Sequence, residues 1–293
     1  MTGLPAIVGW AAVLCYAVAV ATLHLELSLW LVTPVDAGSW AGWRPAQALG
    51  PLAWVLGGGL LLYLVLMAWY RAGRTRTLLF WGLWLGCVVL ADRWILFSGA
   101  ERIHYFQYAV LAWLTAWVVD PERERWPFGA ILLFCTLVGM ADEIYQYTHE
   151  TLDYSDYLDF NDFLLNLLGA AAGLLLYYGF REAPCSARAS HRVGMLGFPL
   201  LGGMMLLLLF LVATPTANRS QAGQDRFATT FPVIERRPDS YGHWREGPLN
   251  GRYLILDPWI GTLLMTGLGM VFARFPTGRS GGGRGTTTKG PSA

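Results

Sequence analysis

The stretch PFGAILLFCTLVGMADEIYQ, running from Pro127 to Gln146, decides the fold. From Phe128 to Ala141 it carries no charge; then Asp142 and Glu143 arrive without a break in the helical pattern. About twenty predominantly apolar residues are what an α-helix needs to cross a hydrocarbon core roughly 30 Å thick. At about 1.5 Å per residue, Asp142 lies roughly 22 Å along a helix that begins at Pro127. Both carboxylates therefore fall inside the span, in its last third. An ionisable group there is costly unless it pairs or lines a cavity.

Blocks of similar length recur on either side. Spans are expected at 6–32, 51–70, 77–97, 105–119, 127–147, 161–180, 194–214 and 254–273. The fold class this implies is all-α: a polytopic transmembrane helix bundle of about eight spans. The composition agrees, since 55% of the residues are hydrophobic and only 14% charged, outside the range of an ordinary soluble domain. Trp30, Trp40, Trp43, Trp126, Trp244 and Trp259 stand at or near block ends, where indole rings gather at a bilayer interface. The stretch Met1 to Trp10 lacks a basic leader region, so it reads as an uncleaved first span. Cys15, Cys87 and Cys135 lie in apolar blocks and Cys185 in a basic loop. With no CxxC or Cys/His spacing, neither a disulfide frame nor a zinc-finger site is expected. A formal net charge of +1 gives no reason to expect a nucleic-acid partner.

Arginine orients the bundle. Arg71, Arg74 and Arg76, then Arg123 and Arg125, then Arg181, Arg188 and Arg192, and finally Arg274, Arg279, Arg284 and Lys289 all fall on one side. That side is expected to be cytoplasmic, with both termini on it. The alternate connectors hold Arg44, Arg102 and the acidic run Glu150, Asp153, Asp156 and Asp159. One connector dissents: 216–252 carries six arginines yet falls outside, and a long polar loop obeys the rule less strictly. The chain divides into a two-span region 1–74, a core 75–180, a second two-span region 181–275 and a tail 276–293. The tail, rich in Gly, Ser and Thr, is expected to be disordered. Gly82–Gly86 and Gly169–Gly173 have the spacing that permits close helix approach.

Three segments put polar residues at helix ends of equal depth. Glu101, His104 and Tyr108 share one face at the start of the fourth span. Asp142, Glu143 and Gln146 close the fifth. Asp162, Asn166, Gly169 and Gly173 form one stripe opening the sixth. Consecutive antiparallel helices pack together, so the stripes are expected to converge near the outer leaflet. For a single residue, capping or headgroup contact is an equal reading; the set together favours a shared site. His24 is expected to be interfacial. Asp92 and Arg93 are expected to snorkel or to pair with neighbouring helices, and His149 fits cluster or loop equally.

In this order, these elements resemble the VanZ-like family of bacterial membrane proteins. Glu101-Arg102-x-His104 with Tyr108, Asp142-Glu143-x-x-Gln146 and Asp162-x-x-x-Asn166-x-x-Gly169 look like its three motifs, over roughly residues 75–180. The proline and arginine usual in that family's connector before the third motif are missing between Tyr147 and Asn161. The resemblance implies a cell-envelope protein, some relatives being linked to glycopeptide-antibiotic tolerance, and names no reaction.

Two functions follow. In the first, the outer site handles a lipid-linked or amphiphilic ligand among membrane lipids. His104 is the acid/base candidate, because histidine alone titrates near neutrality unaided. Glu101 and Glu143 orient it, and Tyr108, Asp142, Gln146, Asp162 and Asn166 contact the ligand. No cofactor or metal is expected, although His104, Glu143 and Asp162 are the trio a metal would need. In the second, the chain is a non-catalytic accessory subunit of a larger membrane complex, its polar cluster only fixing helix packing. A transporter or channel ranks last, because the charges leave no path through the bilayer.

Overall fold

A computed structural model describes residues 4–34, 42, 44–70, 75–125, 127–150, 156–179, 187–213, 234 and 240–275. The tail 276–293 and most of the 216–252 connector lie outside these residues. Each of the eight expected spans is an α-helix: α1 (Leu4–Val32), α2 (Ala46–Tyr70), α3 (Thr75–Trp94), α4 (Ile103–Val119), α5 (Phe128–Tyr145), α6 (Phe160–Tyr178), α7 (Ala187–Ala213) and α8 (Pro258–Ala273). Among the described residues, five helical segments are long and apolar enough to cross a membrane: Ala6–His24, Thr77–Trp94, Phe128–His149, Phe160–Tyr178 and Arg192–Phe210.

The bundle is built around α6, which is buried along almost its whole length from Phe160 to Tyr178. It packs most closely on α4, and α5, α8 and α3 complete its surroundings. The α4–α6 seam is tight because glycine makes it so. A Cβ on Gly169 would lie 2.9 Å from the carbonyl oxygens of His104 and Tyr105, and one on Gly173 would run into the Ala109 carbonyl. The spacing of Gly169 and Gly173 therefore does what small residues do between membrane helices. Gly82 and Gly86 do not: among the described residues nothing lies within 4 Å of a Cβ at either, so their identical spacing marks no such seam.

The outward faces are as apolar as the inward ones. On α4, His104, Gln107, Tyr108, Leu111, Ala112 and Thr115 are buried, while Phe106, Val110, Trp113 and Trp117 are exposed. Exposed leucines and valines also line α1, α2, α3 and α7. Such a surface suits lipid rather than water.

The bundle is helical as expected, with one short element of another kind. Within the long connector, β1 (Trp244–Gly247) and β2 (Gly251–Leu254) form an antiparallel hairpin, with Gly247 opposite Gly251. Its three-residue turn places Gly251 at φ 78°, a backbone position that glycine adopts without strain. The hairpin is fastened to the bundle. Asn250 Nδ2 donates to the Asp92 carbonyl at 2.6 Å, and Asn161 on α6 bonds both the Leu254 carbonyl and the Leu256 N–H. The last helix accordingly starts at Pro258 rather than 254, with Asp257 Oδ1 accepting from Trp259 N at 2.8 Å as its cap.

Candidate functional site

The polar ends of α4, α5 and α6 meet at one end of the bundle. His104 is 1% exposed, and its Nδ1 lies 2.8 Å from Asn166 Oδ1. Asn166 Nδ2 donates to Glu143 Oε1 at 2.9 Å, so one amide joins α4 to α5 through α6. Its orientation follows from chemistry: a carboxylate only accepts, so the amide nitrogen faces Glu143 and the oxygen faces His104. That makes His104 Nδ1 the donor. A second chain runs beside the first, with Tyr108 OH donating to Asp142 Oδ2 at 2.7 Å and Gln146 Nε2 to Asp142 Oδ1 at 2.9 Å. Asp162 Oδ1 stands 3.5 Å from His104 Nε2.

Local structure explains the aim of these side chains. Gly139 leaves room where any Cβ would press on Asn166 and Tyr108 at 3.0 Å. After Tyr145 the helix widens into a π-turn, Gln146–Glu150, a distortion often found at functional sites. Glu101 and Arg102 lie not in α4 but in a short 3-10 turn, Gly99–Arg102, ahead of it. Arg102 makes a two-pronged bond to Asp92 at 2.6 and 2.7 Å, which accounts for one of the polar pair in the third span.

A cavity of about 290 Å³ opens beside this network. Four of the sequence candidates line it: Glu101, Glu143, Gln146 and Asp162. The other four, His104, Tyr108, Asp142 and Asn166, sit behind the wall in the buried network. Glu101 accepts from Phe97 N at 2.8 Å and so is held by its own turn. Asp159 caps α6 by accepting from Asn161 N, and the hairpin contributes Tyr253 and Arg245, the latter 3.6 Å from Asp156. Burial, with Asp162 and Asp159 close by, holds the Glu101 carboxyl well above the usual carboxylate range. Burial and Asp162 do the same to Asp159.

Residues 30–181, just over half of the chain, match the VanZ/LLP1 family model. The chain belongs to the VanZ/LLP1 family. No curated protein and no solved structure matches it. The VanZ/LLP1 match begins ahead of the 75–180 stretch that carries the three motifs, and so takes in α2 as well as α3 to α6. Those motifs are the residues the structure gathers at one end of the VanZ/LLP1 region.

Some members of the site were not legible. His24 is not interfacial: it is buried, with its ring centroid 4.4 Å from that of His104. Its Nδ1 pairs with Gln107 Oε1 at 3.1 Å and its Nε2 with Ser28 Oγ at 3.3 Å. The polar residues at His24 and Ser28, spaced four apart in an apolar span, were the signal for it. His149 stacks on Tyr145 at 5.0 Å and is exposed, outside the network. Phe97, Tyr147, Tyr157 and Tyr253 supply the aromatic part of the cavity wall.

Proposed function

We propose that this chain is an envelope protein of the bacterial cytoplasmic membrane that handles a lipid-linked or amphiphilic ligand in the cavity at the ends of α4, α5 and α6. The cavity wall carries the reading. Seven of its eleven lining residues are polar or charged (Glu101, Glu143, Gln146, Asp156, Asp159, Asp162 and Arg245) and four are aromatic (Phe97, Tyr147, Tyr157 and Tyr253), a lining suited to the polar head of an amphiphile with an aromatic edge for its apolar part. His104 acts as acid/base through the groups in front of it, Glu143 and Glu101 set its polarity, Gln146 holds the ligand's polar part, and Asn166 positions His104 and Glu143 from behind the wall. All eight helices span the bilayer, both termini lie in the cytoplasm, and the cavity opens on the outer face. The arginine distribution supports that orientation.

The second reading, an accessory subunit of a larger membrane complex, draws on α2. Its apolar surface is largely exposed, with Val55, Leu61, Leu62 and Val65 all more than half accessible. Purification in a mild detergent followed by mass spectrometry of co-purifying lipids and proteins separates the two. A stoichiometric amphiphile, lost in Gln146→Ala, is the expected result. A stoichiometric protein partner with no bound lipid would replace this reading with the second. Cysteines placed at Ser220 and Asp156 should react with an impermeant thiol reagent from outside; one at Ser280 should react only after the membrane is opened. Reaction at Ser280 in intact cells would reverse the orientation.

A further inference from the structure

Two buried histidines stand side by side in this bundle, and only one is satisfied. His24 has a partner on each ring nitrogen. His104 has one on Nδ1 alone; among the described residues Nε2 has no hydrogen-bond partner, and neither does the Asp162 Oδ1 atom it faces. Because Asn166 Oδ1 takes the Nδ1 proton, the neutral ring presents a lone pair at Nε2. A lone pair then points at a carboxylate oxygen 3.5 Å away. Two acceptors face each other in a place 1% exposed on the histidine side, an arrangement that is costly unless a proton or a metal cation stands between them. The nearby arginines are committed elsewhere, Arg102 to Asp92 and Arg245 to Asp156.

We propose that His104 Nε2, Glu143 and Asp162 bind one divalent transition-metal cation, with its remaining coordination positions open to the cavity. A ring nitrogen of His104 and one carboxylate oxygen from each of Glu143 and Asp162 lie within 4.8 Å of one another. Two donors on a tetrahedral shell of radius ~2.1 Å stand about 3.4 Å apart, close to the His104–Asp162 separation of 3.5 Å. Glu143 stands beside the same ring, with its Oε1 3.8 Å from His104 Nδ1. The surroundings also suit a metal ligand. A ligating histidine characteristically donates its other N–H to an oxygen that fixes its tautomer, and Asn166 does this while also holding Glu143. One imidazole with two carboxylates selects Zn²⁺ or Mn²⁺ over Mg²⁺ and Ca²⁺, which take oxygen ligands alone. Three protein ligands with open positions describe a site that works on a ligand rather than one that only braces a fold.

The test needs no substrate. Full-length protein in detergent, stripped with chelator and dialysed against Zn²⁺, should retain about one equivalent per chain. Mn²⁺ should compete for it, and excess Mg²⁺ or Ca²⁺ should not. Zinc K-edge X-ray absorption should show a nitrogen/oxygen shell with one imidazole. His104→Ala and Asp162→Asn should each weaken binding at least ten-fold, the second with no change in volume. Asn166→Ala should weaken it about 10- to 100-fold as a supporting residue, and Asp156→Asn, on the cavity rim, should leave it unchanged. A wild-type protein that stays metal-free, a shell without imidazole, or equal loss in Asp156→Asn and Asp162→Asn would each overturn the site. Bound lipid without zinc also overturns it while sparing the amphiphile reading; zinc without lipid supports the site and leaves the amphiphile reading to fall alone.

Discussion

The two ends of the α4–α6 core both bury a carboxylate, and they bury it differently. At one end Asp120 is 2% exposed, just past the last turn of α4. Its side chain accepts from Glu124 N, Arg125 N and Tyr178 OH at 2.9, 3.1 and 3.3 Å. Its carbonyl accepts from Tyr177 OH, and the Arg123 guanidinium lies 4.4 Å over the Tyr177 ring. Every bond there closes inside the protein. At the other end Asp162 and His104 leave facing atoms unbonded beside a cavity. Buried polarity is therefore not by itself the mark of a site. A closed network ties helices together, while an open one leaves polar atoms unbonded beside a cavity.

The largest effect should come from breaking what the two ends share. Gly173 lies in the middle of the seam, where a side chain meets the Ala109 backbone. Gly173→Leu should leave no folded protein in the membrane fraction, so that both ends are lost together. Gly86→Leu, on a glycine facing open space, should express and elute as wild type in size-exclusion chromatography. A folded Gly173→Leu protein would mean that the seam is looser than the structure has it.

Next is a split between the ends. Asp120→Ala strands buried donors and should cost about 1–3 kcal/mol of stability, read as a lower detergent melting temperature, with zinc retention per folded chain unchanged. At the open end, Gly139→Ala pushes on Asn166 and Tyr108 rather than on the backbone. It should cost about 1 kcal/mol but lower zinc affinity several-fold. If instead Asp120→Ala weakened zinc binding and Gly139→Ala did not, the contrast between closed and open ends would fail.

Much of this contrast was legible in sequence because hydropathy blocks and helical spacing report directly on burial and on shared faces. All eight blocks are helices, and the three polar stripes do meet. What spacing cannot report is the partner. His24 is held by Gln107, eighty-three positions away, with its ring against His104, and nothing in its own span names either residue. The same limit hid the difference between two GxxxG spacings, one against α4 and the other against open space. The hairpin was missed for another reason. Its turn residues Gly247, Pro248, Asn250 and Gly251 were visible, but a polar stretch between two spans reads as loop unless its strands have something to cover. Here they cover the site, with Tyr253 as part of the cavity wall.

The smallest effect expected is a pH dependence that belongs to the open end. Glu101 and Asp159 lie outside the spanning segments, and burial with acidic neighbours raises both carboxyls above their ordinary range. Facing Glu101 are Asp159 and Asp162, and facing Asp159 are Asp162 and Tyr157. In the unfolded chain these groups titrate near 4, roughly the model-peptide values. Between that and their raised folded values, the folded protein binds more protons than the unfolded one, so unfolding free energy falls as pH rises. The stabilisation is complete below the ordinary carboxylate range and is lost as pH climbs through the folded values. Metal-free protein should therefore melt at progressively lower temperature from about pH 4 toward neutrality. Glu101→Gln should flatten that slope, because an amide keeps the side chain's shape without its ionisation. Asp159→Asn should act in the same direction, since its side-chain oxygen can still accept from Asn161 N. A melting temperature that rises over the same window would show that these carboxyls are charged and paired in the folded state, and that the acidic end is closed after all.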